Sequence, residues 1–368
     1  MYILLQIYLK MLSMSSLVAD CNSTVRYTKI SFWETITELN MAMLEYNEEL
    51  IARELQVIGL QFISIVVNPS ADHFLRQLYI KSINCLLEKY PSVARVAFKQ
   101  NAQQYLESLP ACLAEVGDYD FQTSVVECIF RTTGISERKT NINKIFPGLD
   151  ITIQALFLRI QDFDPDCRYF LNKFNESMGE NRLVFTFPCH SAQIGQLKLS
   201  KPKASTYEKF WVDFNIRSGT ILIMCDRSSN AEDKPNESTW ESLVLYPNEV
   251  TSVKLSCFPH STTLLVELGR DPAEIFASPP SEYDLSLLTE FFSIEFSPDE
   301  KIKTVCQELY NDKIIIHDMI PRNSYRKASK PEMSISSMAF SSSDAENSKS
   351  KHQTSFSTKH YKMSKTKV

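Results

Sequence analysis

The 368-residue chain holds few residue pairs whose types and spacing suit chemistry. Cys189 and His190 are adjacent, and a thiolate beside an imidazole is half of a metal site. No second such pair lies near them, so they read as a strand-end thiol and a surface imidazole. Asp162, Asp164 and Asp166 alternate in QDFDPDC, as carboxylates do at the head of a calcium loop. The glycine and distal glutamate that such a loop needs are absent. Asp164 fits better as a helix N-cap with Pro165 at the first helical position. The nine cysteines (Cys21, Cys85, Cys112, Cys128, Cys167, Cys189, Cys225, Cys257 and Cys306) are scattered, with no two within four residues. That leaves no CxxC and no zinc-ligand spacing. Most sit in apolar runs, where cysteine behaves as a small hydrophobe. They read as reduced core thiols of a cytosolic or nuclear protein. No GxSxG, HExxH, P-loop or GxGxxG occurs. The chain is therefore read as a non-enzyme with no cofactor and no metal.

Three further groups invite a binding role. Lys198, Lys201 and Lys203 in KLSKPKAS suit a phosphoinositide headgroup, but no second basic cluster accompanies them. Trp211, Phe214 and Trp240 fall in strand-like runs and read as core rather than as a recognition surface. Arg326-Lys327-Ala328-Ser329 resembles a basophilic kinase site, which makes Ser329 a candidate phosphosite.

Charge is unevenly spread. The net charge is −5. Residues 319–368 hold ten Lys/Arg against three Asp/Glu, a net of +7 that leaves −12 on the first 318 residues. An acidic body with a basic tail argues against an extended DNA-binding face, which needs clustered Lys and Arg. Histone tails suit such a body better, although a plain soluble acidic surface explains the same charge. The N-terminal MYILLQIYLKMLSMSSLVADC has no basic residue before its apolar run, and Lys10 interrupts the run. A signal peptide is disfavoured, and the run is too short to span a bilayer. It is expected to be an alternative start or a helix left from a longer domain.

The elements that must position any site change character near Arg182. Before it, apolar residues recur at helical spacing. Helices are expected over Ser31–Leu44 (capped by Ser31, with Glu34), Asn47–Val67, Phe74–Tyr90, Ser92–Leu106, a short one from Pro110, Asp118–Arg131, Leu149–Ile160 and Asp166–Phe174. After it, the period is two. Strands are expected over Leu183–Phe187, Gln196–Leu199, Phe210–Phe214, Thr220–Cys225, Trp240–Leu245, Thr251–Phe258, Thr263–Leu268 and Phe291–Phe296. Arg217-Ser218-Gly219 reads as a tight turn between two of them. Arg227–Thr239 and Ser278–Ser281 read as loops. Asp299–Tyr310 reads as a terminal helix with Ile302, Val305, Cys306 and Leu309 inward, started by Ser297 or Pro298. Lys313–Ile316 is left open. From Pro321 onward the Ser/Lys-rich chain is expected to be disordered.

Four blocks, Val116–Arg131, Asp164–Asn175, Val184–Gly195 and Glu208–Thr220, resemble the synaptonemal complex protein 2 family, including its 2-like branch, in order and spacing. The resemblance covers roughly Phe32 to Met319. It marks Gly117, Asp118, Tyr119, Arg131, Asp166, Cys167, Arg168, Phe185, Phe187, Pro188, Phe210, Trp211, Asp213 and Phe214 as family-matching structural residues. Degenerate helical units of ordinary length fit an armadillo or HEAT array, and the resemblance implies the same. It further implies a pleckstrin-homology-like β-barrel of the Spt16 middle-domain type, with its C-terminal helix plugging one end. The expected division is an N-terminal start at 1–30, the helical domain at 31–178, the Spt16M-like domain at 182–318 and the basic tail at 319–368. The resemblance implies a scaffold in the lateral element of the meiotic chromosome axis, in the nucleus. Its partners would be axis, centromere or cohesin-associated proteins, with no base-specific nucleic-acid binding and no membrane. The alternative is a histone-binding, chaperone-like module. The family also has a C-terminal coiled coil; no heptads occur near Val368.

Overall fold

A computed structural model describes residues 59–101, 103–202, 208–226, 240–276 and 280–319. The expected Ser31 helix and its Glu34 partner, Cys21, Lys203, the Arg227–Thr239 loop, Ser278 and Pro279, Ser329 and the basic tail beyond Met319 lie outside them.

A helix whose described part is residues 59–66 leads into eight more. These are α1 (His73–Lys89), α2 (Pro91–Asn101), α3 (Gln103–Leu106), α4 (Leu109–Glu115), α5 (Tyr119–Thr132), α6 (Ile135–Ile145), α7 (Ile151–Leu158) and α8 (Phe163–Ser177). Local capping explains most of the boundaries. Asp72 accepts from the N–H groups of Phe74 and Leu75, Asp118 from Phe121, and Asp150 from Thr152. Each satisfies donors that a helix start leaves orphaned. Pro110 lies in the first turn of α4, where its missing N–H costs nothing.

Two helical expectations need correction, whereas the expected Ser92–Leu106 helix is helical throughout its described residues, Pro91–Asn101 and Gln103–Leu106. Helix α6 was not expected, because its ISERKTNINKI sequence is mostly polar. Short contacts build it: Glu137 accepts from Gly134 N–H, Lys99 pairs with Glu137, and Arg138 stacks 3.7 Å from the Phe130 ring centroid. Asp164 is not the N-cap of α8, which begins at Phe163. Asp166 reaches back instead and accepts from the N–H groups of Gln161 and Asp162 at 2.7 and 3.1 Å. Asp164 and Pro165 both fall inside the first turn, where proline is tolerated.

The sheet follows as β1 (Val184–Ile194), β2 (Leu197–Leu199), β3 (Phe210–Asn215), β4 (Thr220–Asp226), β5 (Trp240–Leu245), β6 (Val250–Cys257), β7 (Thr262–Leu268), β8 (Phe291–Phe296) and β9 (Ile314–Asp318). Helices α9 (Glu282–Leu287) and α10 (Glu300–Tyr310) flank β8. The strand order is β5-β4-β3-β1-β8-β7-β6-β9, with β2 paired to β1. All pairings are antiparallel except β6 with β9, which is parallel.

The expected barrel is therefore corrected to an open sheet: β5 and β9 end the order and do not pair with each other. The eight expected strands become nine with a parallel edge, and the undecided Lys313–Ile316 segment lies at that edge. Helix α10 covers the sheet rather than plugging a barrel end. Its Ile302, Val305, Cys306 and Tyr310 are buried in the sheet core, while Leu309 is only partly buried. Asp299 caps it by accepting from Lys301 N–H, so neither Ser297 nor Pro298 starts it.

Strand β1 also runs further than expected. It continues through Pro188 to Ile194, with a bulge between Cys189 and Ser191. His190 is thus the residue at a bulge and not at a strand end, a place where a side chain is re-aimed. Its Nε2 lies 2.9 Å from Ser297 Oγ.

Candidate functional site

The sheet has two working faces along its β1-β3-β4-β5 half. Phe187, Val212, Phe214, Ile221, Ile223, Leu243 and Leu245 point into the sheet's own core. The alternate positions Val184, Leu222 and Val244 instead join the core of the helices. Strand β4 is consequently buried at every position, as expected of a strand covered on both faces. The register places Thr186 beside Asp213, and Asp213 beside Leu222, in this helix-facing row.

Asp213 is therefore a carboxylate in the middle of a strand, fully buried, facing helices. Arg168 of α8, buried as well, answers it. Its Nη1 donates to both carboxylate oxygens at 2.6 and 2.8 Å. Thr186 Oγ1 donates to the same carboxylate at 2.7 Å. The guanidinium carbon lies 3.5 Å from the Tyr119 ring centroid, and Nη2 approaches Met224 Sδ at 3.4 Å. A planar cation that both pairs and stacks is a role for arginine rather than lysine. Burial pushes the Asp213 carboxyl up, and Arg168 and Thr186 pull against that, with a net rise.

A second polar group sits at the turn between β3 and β4. Tyr119 N–H donates to Asn215 Oδ1 at 2.9 Å, and Ser218 Oγ donates to Asp118 Oδ2 at 2.8 Å. Arg217 Nη1 donates to the Glu115 carbonyl at 2.9 Å. His73 Nε2 stands 3.6 Å from Asp118, an ion-pair distance too long for a hydrogen bond. Burial opposes ionisation of Asp118, yet His73, the Phe121 N–H and Ser218 together hold its carboxyl below the usual value. Gly117 lets the chain pass: its φ is +57°, and an added Cβ would lie 2.6 Å from Arg217 Cβ.

The family-matching residues divide accordingly. Gly117, Asp118, Tyr119, Arg168 and Asp213 meet at this junction. Cys167, Phe187, Phe210 and Phe214 are buried core, and Phe185 packs against the sheet core. Asp166 caps α8. Arg131 pairs with Glu127 and, at 3.5 Å, with Glu88 on the helical surface. Pro188 is exposed, and Trp211 opposite it in the sheet is half-buried under Lys209, 5.6 Å from the ring. Sequence reasoning missed Thr186, Asn215, Arg217 and Ser218 as junction residues. The signal was present in one case: a polar Asp213 flanked by Val212 and Phe214 in a buried strand needs a buried partner.

The arrangement holds the helices against the sheet. Among the described residues no three His, Cys, Asp or Glu side chains gather as a metal site, and no helix is long and apolar enough to cross a membrane. The described cysteines are free thiols, and burial raises Cys189 to about 12.

Comparisons with known proteins run through this region. Residues 184–284 match the family described as Synaptonemal complex 2 Spt16M-like domain, beginning at the first residue of β1. Human synaptonemal complex protein 2 is 32% identical over 191 residues, covering 51% of this chain and 12% of the human protein. The 2-like protein of Xenopus laevis is 27% identical over 248 residues, covering 66% of this chain and 23% of that protein. The chain thus spans less than a quarter of the length of these relatives. A solved structure titled "Synaptonemal complex protein" shares the fold, with a TM-score of 0.62 at 22% identity over 77% of this chain and 67% of that one. A domain match on the sheet, relatives in both branches and a shared fold agree: residues 184–284 match the Spt16M-like domain of synaptonemal complex protein 2, and the chain is similar to that family over about half of its length.

Proposed function

We propose that this chain is a non-enzymatic interaction scaffold of the synaptonemal complex, acting in meiotic nuclei on the chromosome axis. The observation that carries the reading is the family match on the sheet, joined to a buried junction that makes helices and sheet one platform. Relatives named for the synaptonemal complex support the location. The partners we infer are axis, centromere or cohesin-associated proteins. The platform comprises an armadillo-like array over 31–178 and an Spt16M-like, pleckstrin-homology-related unit over 182–318. The basic tail from 319 carries Ser329 as a kinase target. Affinity capture from meiotic nuclear extract, read by mass spectrometry, tests this. Enrichment of axis or centromere proteins is expected; their absence in the presence of many unrelated proteins would contradict it.

A second reading, a histone-binding module, is favoured by the net charge of −12 on the first 318 residues. It predicts salt-sensitive binding to histone dimers, and no binding at low salt would remove it.

A further inference from the structure

His190 and Ser297 meet on the surface where two neighbouring strands bend or end. His190 sits at the bulge of β1, and Ser297 is the first residue after β8, the antiparallel neighbour of β1. The imidazole Nε2 lies 2.9 Å from Ser297 Oγ. Both residues are exposed, as are Pro298, Asp299 and Glu300 beyond them. The hydroxyl has no duty in the adjoining helix, because Asp299 is the residue that caps α10. Phe296, just before it, is fully buried and anchors the strand end.

Three features make this hydroxyl a phosphoryl acceptor. Pro298 follows it, and a residue before proline is confined to extended backbone, the form in which a kinase groove takes its substrate. Residues 297–299 lie in neither helix nor strand, so Ser297 is presented from a connection. Ile294, Glu295 and Phe296 precede it, which excludes a kinase that reads upstream arginine or lysine. The class that remains reads the proline itself, whose missing N–H leaves no donor to satisfy. The chain has one other Ser-Pro dipeptide, Ser278-Pro279, and it lies outside the described residues.

The imidazole gives the product a partner. A phosphoserine carries about −1.5 to −2 charge at pH 7 and three acceptor oxygens. A protonated imidazole in hydrogen-bond reach donates a charge-assisted bond to such a group. The carboxylates around it are Glu295, Asp299 and Glu300. Glu295 already accepts from Ser191 Oγ at 3.3 Å, and Asp299 accepts from Lys301 N–H at 2.8 Å. Arg182, ahead of β1, stands near enough to feel Asp299. His190 is the cationic group that meets Ser297 Oγ directly, so it decides whether the phosphate is held or repelled.

We infer that Ser297 is a phosphorylation site for a proline-directed protein kinase, and that His190 holds the phosphate and so ties the β1 bulge to the start of α10. This goes beyond the scaffold reading. The transfer forms a bond from Ser297 Oγ to the γ-phosphorus of ATP and breaks the bond from that phosphorus to the β,γ-bridging oxygen. ADP leaves, and the hydroxyl proton passes to the catalytic carboxylate of the kinase. The probe is ATP with a purified proline-directed kinase of the cyclin-dependent class, applied to the full chain, with phosphate mapped by tandem mass spectrometry. A synthetic peptide of residues 291–303 is the unfolded reference. Phosphate on Ser297 of the native chain is expected, at a rate comparable to the peptide's. It should be lost in Ser297→Ala, whose circular dichroism and Tm match the parent. By phosphorus NMR the phosphoserine should titrate at lower pH in the parent than in His190→Gln, because a nearby cation favours the dianion. No phosphate on Ser297 of the native chain, including labelling of the peptide alone or of Ser278 alone, would overturn the proposal. So would a phosphate titration identical in the parent and His190→Gln. Capture of axis proteins tests the scaffold reading separately and is decided by neither result.

Discussion

One guanidinium nitrogen of Arg168 lies 2.6 and 2.8 Å from the two carboxylate oxygens of Asp213, with both side chains almost wholly withdrawn from solvent. The pair spans a helix and a strand 45 residues apart. Removing either partner strands a buried charge, which costs about 3–5 kcal/mol, whereas replacing both with apolar residues can be near neutral. Arg168→Met and Asp213→Leu should each lower the urea midpoint strongly. The double variant should lose much less than the sum of the two. Additive losses in a double-mutant cycle would mean that the charges do not depend on each other.

Gly117 tests the close approach at the turn. Its left-handed φ alone costs a side chain roughly 1–2 kcal/mol. Gly179 shares that conformation, with φ of +56°, but nothing lies within 4 Å of an added Cβ. Gly117→Ala should therefore lower Tm clearly more than Gly179→Ala. Equal losses would show that the contact with Arg217 and Leu183 is easily relaxed.

Asp118 gives the junction a pH dependence whose sign follows from its lowered carboxyl. A depressed folded value stabilises the protein above the unfolded value of about 3.9 and loses that contribution as pH falls through the folded value. Asp118→Asn should be less stable than the parent at pH 7, and the gap should narrow on acidification below about pH 4. Asp213, whose carboxyl is raised, has the opposite sign and is present in both proteins. A gap that widens in acid would contradict the assignment.

The thiols offer a check on burial. Of the described cysteines, seven are buried and Cys85 is half-buried, and burial raises the thiols of Cys112, Cys128, Cys167, Cys189 and Cys306, the last to about 12. Thiolate is the reactive form. Iodoacetamide at pH 8 should label the buried set slowly in the native protein and fully in urea. Rapid native labelling of Cys128 or Cys306 would refute the packing.

The parts legible in the sequence are those where one local rule decides. The alternation in FWVDFN marked β3, and Arg217-Ser218-Gly219 marked its turn, both of which the structure contains. Helix α6 escaped because its support comes from Lys99 and Phe130, outside its own sequence. The open edge escaped because β9 pairs in parallel with a strand some sixty residues earlier, and no local pattern encodes that. At the candidate site, family blocks named Tyr119, Arg168 and Asp213 separately. Nothing in their spacing showed that a ring, a guanidinium and a carboxylate would stack in one place.

The central claim is that helices and sheet form one cooperative platform through this junction. Equilibrium urea unfolding, followed by amide exchange at helix α8 and strand β4 in the same samples, tests it directly. The account predicts coincident transitions in the parent chain and an earlier, still coincident transition in Arg168→Met. Separate midpoints for helix and strand in the parent would contradict it.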